Sequence, residues 1–189
     1  MSTDDELRTA LAAAMRGFAE VVAGLGSDDL ATPSMCPGWS VRDVVDHIIA
    51  GDRFAALALD GRSLGDAADA VLGVDHVGDD PVGNLAEAAA AARAGFARPL
   101  DVTVDHPIGP LPARRFIGFR VLDQLGHTWD VAHALGDDID LDAAAIDIAL
   151  AVCDLEREML DASAHFTMAV DAATDADPQL RFLRSIGRS

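Results

Sequence analysis

The sequence predicts an all-α protein: a bundle of helices with one long crossover and one small β-hairpin. Apolar residues recur at spacings of three and four through five segments, and most of those segments end in recognisable cap or stop residues. Only one short stretch alternates in the manner of a strand. With 189 residues, 50% of them hydrophobic, the chain can bury the core of one domain. The expected bundle occupies about 4–161, with a tail over 162–189.

Leu7, Leu11, Met15, Phe18, Val22 and Leu25 define the first amphipathic helix, about 4–24, which Gly24 and Gly26 help to end. The turn-rich "GSDDLATPSMCPGW" leads to Ser40, which with Asp43 resembles a capping box. The second helix therefore starts near Val41, carries Val44, Val45, Ile48 and Ile49, and stops at Asp60-Gly61. Residues 61–82 read as a long loop with one short helical turn, and Ala-rich "NLAEAAAAARAGFA" makes a third helix over about 83–97. Val102 and Val104, followed by His-Pro and Gly-Pro turns, predict the hairpin. A fourth helix runs from about Arg115 to Leu135 and is stopped by Gly136. A fifth covers about 142–161, and the tail has a brief helical turn at "PQLRFLRSI".

A net charge of -18 repels phosphate backbones and anionic lipid, so neither nucleic acid nor a membrane surface is an expected partner. All 14 basic residues are Arg, and only five of the 32 acids are Glu. This composition has the look of a GC-rich genome, and it lowers the weight of any single Asp. The start lacks the pattern of a secretory signal and no apolar run is long enough to span a membrane, so a cytoplasmic protein is expected. Cys36 and Cys153 form no C-x-x-C pair and are expected to be packed thiols. A homodimer would be ordinary for a small bundle, although no surface in the sequence demands one.

The chemistry concentrates in "RVLDQLGHTWDVAHALG". Val121, Leu125, Thr128, Ala132 and Leu135 form one stripe of the fourth helix, and Asp123, His127 and Asp130 lie nearly opposite. A wet face is one reading of that row. Phe116, Phe119, Val131 and Ala134 border it, however, where a wet face would show Arg and Glu. A carboxylate buried there needs a cation, either a metal or an Arg such as Arg120. His47, on the margin of the second helix's apolar stripe, would by itself be a satisfied core histidine. Beside an Asp/His pair at i, i+4 it becomes a third N/O donor, and such a set suits Zn²⁺ or another first-row divalent ion with one coordination position open. Asp130 could orient an imidazole or cap nearby backbone. His133 lies about 240° round the helix from His127, so the two cannot share an ion. His76 and His106 fall in loops and His165 in the tail, where exposure is expected. No Gly-rich phosphate loop, G-x-S-x-G elbow or catalytic Cys-His pattern occurs.

The segments "MCPGWSVRDVVDHIIAGDRFAALALDG", "LDQLGHTWDVAHALG" and "ADPQLRFLRSIGRS" resemble the mycothiol-dependent maleylpyruvate isomerase N-terminal-like proteins, within the DinB-like superfamily of metal-binding four-helix bundles. The resemblance covers most of the chain. Its most specific pieces are C-P-G-W-S-V-R-D-x-x-x-H and acid-x-x-x-H-x-W-D. It implies an antiparallel four-helix bundle with a divalent ion held by His47, Asp123 and His127; by the donor chemistry above the ion is zinc first, with nickel or manganese as alternatives, and Asp130 is the supporting acid that the spacing suggested. In the isomerase the acid is usually Glu, and this chain has the shorter Asp123. The isomerase also carries a C-terminal domain. Here only about 28 residues follow the fifth helix, too few for an independent domain.

The resulting functional expectation is a metal-dependent S-transferase or isomerase that uses a thiol such as mycothiol on a small electrophile such as maleylpyruvate. Arg53 or Arg120 would be donors for an anionic substrate. Two other readings keep the same residues: a small hydrolase in which the metal activates water, and a non-catalytic metal- or ligand-binding bundle.

Overall fold

The computed structural model describes residues 2–161 and 177–188. Its elements are α1 (Asp4–Ala23), a 3-10 turn at Asp29–Ala31, α2 (Val41–Leu59), α3 (Leu64–Asp69), α4 (Pro81–Phe96), β1 (Thr103–Val104), β2 (Leu111–Pro112), α5 (Ala113–Ala134), α6 (Ala143–Leu155), α7 (Arg157–Asp161) and α8 (Pro178–Ser185). Thr3 and Glu6 form a reciprocal capping box on α1, and Ser40 and Asp43 form the one expected on α2. The hairpin is present, antiparallel, with Thr103 opposite Pro112 and Val104 opposite Leu111.

Four long helices make the bundle, with α1 and α2 each packed on both α4 and α5. Directions follow from side chains that share a level. Arg8 near the start of α1 donates to the carbonyl of Phe96 at the end of α4, so these two run in opposite directions. The same holds for α2 and α5, where Asp52 meets Arg120 and Cys36, ahead of α2, reaches Asp130. By contrast, Arg114 pairs with Asp4 while Gly17 faces Thr128, so α1 and α5 run together. Arg53 lies by Asn84 and Leu59 by Gly95, so α2 and α4 also run together. Joining two helices that run the same way requires a return along the bundle. The crossover at residues 60–80, which contains α3, makes that return.

Helix α5 is covered almost all round, by α1 and α2 on the bundle side and by α6 outside it. Such a helix has no broad solvated stripe: only Arg115 and His133 on it are exposed, while His127 and Asp130 are buried and Asp123 is largely so. Close approach is set by a small residue: a Cβ at Gly118 would come within 2.9 Å of the Val152 side chain. The wet face considered for Asp123, His127 and Asp130 therefore does not exist.

Three expectations are corrected. The fifth predicted helix is two segments, α6 and α7, broken at Glu156, whose buried carboxylate turns to pair with Arg115. His76 is buried, not exposed. Its backbone N–H donates to Asp46 at 2.6 Å, its Nδ1 accepts from Arg53 at 2.8 Å, and its Nε2 donates to the Val71 carbonyl at 2.9 Å. In this way it fastens the crossover to α2. His106, in the hairpin loop, is half-buried against Phe116 and Phe54, with ring centroids 4.9 and 5.9 Å away. Burial, and then the positive charges of Arg120 and Arg115, push its pKa down to about 4. His133 is exposed and stacks on Trp129, remote in role from the polar row. His165 lies outside the described residues.

Candidate functional site

A cavity of about 750 Å³ opens between α2, α5, the segment before α2, the hairpin loop and the end of the chain. One wall carries His47 from α2 and Asp123 and His127 from α5. The i, i+4 spacing puts Asp123 and His127 on one helical face. The opposed direction of α2 then brings His47 level with them. His47 Nε2 lies 3.2 Å from Asp123 Oδ2, and His127 Nε2 lies 3.4 Å from Asp123 Oδ1. One ligand atom from each residue falls within 4.8 Å of the others, a spacing that one ion could bridge.

Each member of this triad is held from behind. His127 Nδ1 stands 2.9 Å from Asp130 Oδ2, a contact that orients the ring and turns Nε2 toward Asp123 and His47. Asp130 is in turn gripped by Arg188, whose Nε and Nη2 donate to its two oxygens at 3.0 and 2.9 Å. Burial raises the pKa of Asp130, but hydrogen bonds from His127 and Arg188 and their charges outweigh it and hold the carboxyl down at about 2. Cys36 joins the same group, its Sγ 3.3 Å from Asp130 Oδ2 and 3.8 Å from His127 Nδ1. Trp39 closes the outer side, its ring 5.2 Å from His47 and 6.2 Å from His127 between centroids.

Asp123 is held by Arg120, whose Nη1 donates to Oδ2 at 2.5 Å. The rest of that guanidinium serves α2: Nη2 and Nε reach Asp52 Oδ1 at 2.8 and 3.2 Å, and Nη2 also reaches the Ile48 carbonyl at 3.3 Å. Gly51 makes this possible, because a Cβ there would lie 2.5 Å from Arg120 Nη1. Gln124 completes Asp52 with a 3.0 Å bond to Oδ2. Burial drives the pKa of Asp52 above its ordinary value despite Arg120, so the ion pair only partly offsets its desolvation. Asp123 goes the other way. Burial raises it, but the charge of His47, hydrogen bonds from His127 and His47, and Arg120 together hold it well below the usual range. His127 is correspondingly raised: burial lowers it, and Asp123, Asp130 and Cys36 more than compensate.

The residues singled out in the sequence thus meet in one place, except Arg53, which is engaged with His76 and Asn84 and does not line the cavity. Cys36 proves to be part of the constellation, whereas Cys153 is the packed thiol expected, buried and pushed up to about 12. Three participants escaped the sequence reading. Asp52 left a usable signal, an acid one turn beyond Ile48 on α2's apolar stripe. Cys36 was visible in the C-P-G-W motif. Arg188 left no signal beyond the familiar tail, since its partners are 58 and 152 positions away.

Residues 11–132 match the mycothiol maleylpyruvate isomerase N-terminal domain family, and the match spans Cys36, His47, Asp123, His127 and Asp130. The chain belongs to that family. Two uncharacterized proteins of Mycobacterium tuberculosis, one from each of two strains, are 32% identical to it over 135 residues, covering 68% of this chain and 67% of theirs. Among solved structures, a mutant of the mycothiol-dependent maleylpyruvate isomerase superposes with a TM-score of 0.59 at 13% identity, covering 82% of this chain and 69% of that one. The unmutated isomerase gives 0.56 at 14%, with the same coverage. At these identities the likeness is one of fold, the all-α DinB-like bundle. The family match ends before α6, so Arg188 belongs to a part of the chain outside it.

Proposed function

We propose that this protein is a divalent-metal-dependent enzyme that uses a low-molecular-weight thiol, mycothiol in the first instance, as an S-transferase or isomerase acting on a small electrophile such as maleylpyruvate. The observation that carries the reading is the convergence of His47 Nε2, the Asp123 carboxylate and His127 Nε2 on a cavity wall. The donor set fits a metal. Two imidazoles and a carboxylate are the mixture that zinc accepts in open sites, and nickel or manganese would also suit it. Asp130 would favour in His127 the Nδ1–H tautomer a ligand needs, and while Arg120 holds Oδ2 of Asp123, Oδ1 lies 3.4 Å from both His47 Nε2 and His127 Nε2.

When bound, the ion would lower the pKa of a coordinated thiol and keep it as thiolate, ready to attack an electrophilic carbon. The protein's own groups prepare for this. Arg120 and Asp130 fix the ligands in position, and Trp39 covers the histidines on one side, limiting water at the reacting sulfur. The mycothiol requirement and the substrate named for the related isomerase motivate the thiol and the electrophile.

The direct test is turnover by zinc-loaded protein with mycothiol and a panel of small electrophiles, wild type beside His47→Ala. Consumption of the electrophile that depends on thiol, and that His47→Ala abolishes while its circular dichroism stays native, supports the reading. Equal turnover without thiol would indicate hydrolysis, and no turnover with any thiol would leave a binding bundle; either result contradicts it.

A further inference from the structure

We propose that the cavity facing the triad is shaped for an uncharged, apolar or aromatic electrophile and not for a dicarboxylate. This rests on the enzyme reading above: it keeps the metal and the thiol of that reading and replaces maleylpyruvate, itself a dicarboxylate, with another class of electrophile.

The wall away from His47 and His127 is formed by Phe54, Phe116, Phe119, His106, Ile108 and Met159. Their arrangement is that of an aromatic box. Phe116 stands edge-on to Phe54, with centroids 6.2 Å apart, and His106 packs edge-on to both. A half-buried His106 whose pKa is lowered to about 4 is neutral at physiological pH, so it adds ring surface and no charge. At the mouth, Ile108 and Met35 are 47% and 41% exposed, large apolar side chains left open where a polar substrate would be met by polar groups.

A dicarboxylate needs a cation for the carboxylate that is not at the reacting end, because a buried carboxylate without a partner is strongly disfavoured. Among the described residues lining the cavity the only guanidinium groups are Arg120 and Arg188. Arg120 is balanced by Asp52 and Asp123, and Arg188 is clamped in two-point contact on Asp130. Arg115 stands over the Phe119 ring at 5.6 Å, but it is paired with Glu156 and does not line the cavity. Residues 162–176, outside the described residues, contain no Arg or Lys. The net charge of -18 opposes a dianion at longer range as well.

The experiment titrates the zinc-loaded protein with two probes, 2-naphthol as an uncharged aromatic and maleate as a dianion, by calorimetry and saturation-transfer NMR. The variants are Phe119→Ala and, at the exposed rim where folding is not at stake, Ile108→Ser. We expect 2-naphthol to bind more tightly than maleate, and each variant to weaken it, Phe119→Ala by about fivefold, the order of one lost aromatic contact. Maleate binding more tightly than 2-naphthol, or 2-naphthol affinity unchanged in both variants, would overturn the proposal. Failure of the enzyme reading looks different: 2-naphthol still binds and responds to the variants, while no thiol supports turnover. Thiol-dependent turnover together with maleate preference would leave the enzyme reading standing and remove this one.

Discussion

Asp130 is the residue on which the site turns. It is fully buried, and its two oxygens serve His127, Cys36 and Arg188 at once. Its role toward an ion would be indirect, setting the tautomer and angle of His127. Removing such an orienting partner typically lowers metal affinity about 10–100-fold. Asp130→Asn keeps the shape but loses the charge that favours an Nδ1–H donor, so its zinc affinity, measured by competition with a chromophoric chelator, is expected to fall within that range. An affinity equal to wild type would show that Asp130 is only a tether for Arg188. The spacing of Asp123, His127 and Asp130 was legible because residues three and four apart on a helix share a face whatever the rest of the chain does. The company they keep was not: Cys36 and Arg188 arrive from 94 and 58 positions away, and a lone cysteine or a C-terminal arginine has no local periodicity to betray it.

At the scale of the element, the informative pair is α2 against α5. Their contact is centred on an ion pair, Arg120 with Asp52, both almost wholly excluded from water. Burial of both charges costs so much that the pair adds little net stability while intact, yet breaking it from one side leaves an unmatched charge. Asp52→Ala is therefore expected to lower unfolding stability by about 3–5 kcal/mol in urea denaturation. A change of under about 0.5 kcal/mol, the range of an ordinary surface substitution, would show that Arg120 finds full compensation elsewhere. The helices themselves were readable, since α1, α2 and α5 begin and end within two or three residues of their predicted limits, and the Ser40–Asp43 box formed despite its unusual acid. The fifth helix was misread at Glu156 because its helical periodicity continues through the break, and only the distant Arg115 explains why that carboxylate turns inward. His76 and His106 were misread for a related reason. Loop sequence predicts exposure on average, and these two loops fold back over α2 and α5.

For the whole molecule, a single crossover fixes what the bundle can do. Because α2 and α4 run together, α5 returns against α2, and only that opposition sets His47 level with Asp123 and His127. The sequence announced a long loop between the second and third helices, and with it the crossover; which helices would be neighbours depended on packing that no local pattern encodes. The central claim, that these three side chains form a metal centre, is tested most directly by elemental analysis of the purified protein after incubation with Zn²⁺, Ni²⁺ and Mn²⁺ and removal of free ion, wild type beside His127→Ala. The expected result is close to one divalent ion per wild-type chain, zinc foremost, and essentially none in a His127→Ala protein that keeps its helical circular dichroism. Wild type free of ion under all three conditions, or equal loading of the variant, would contradict it.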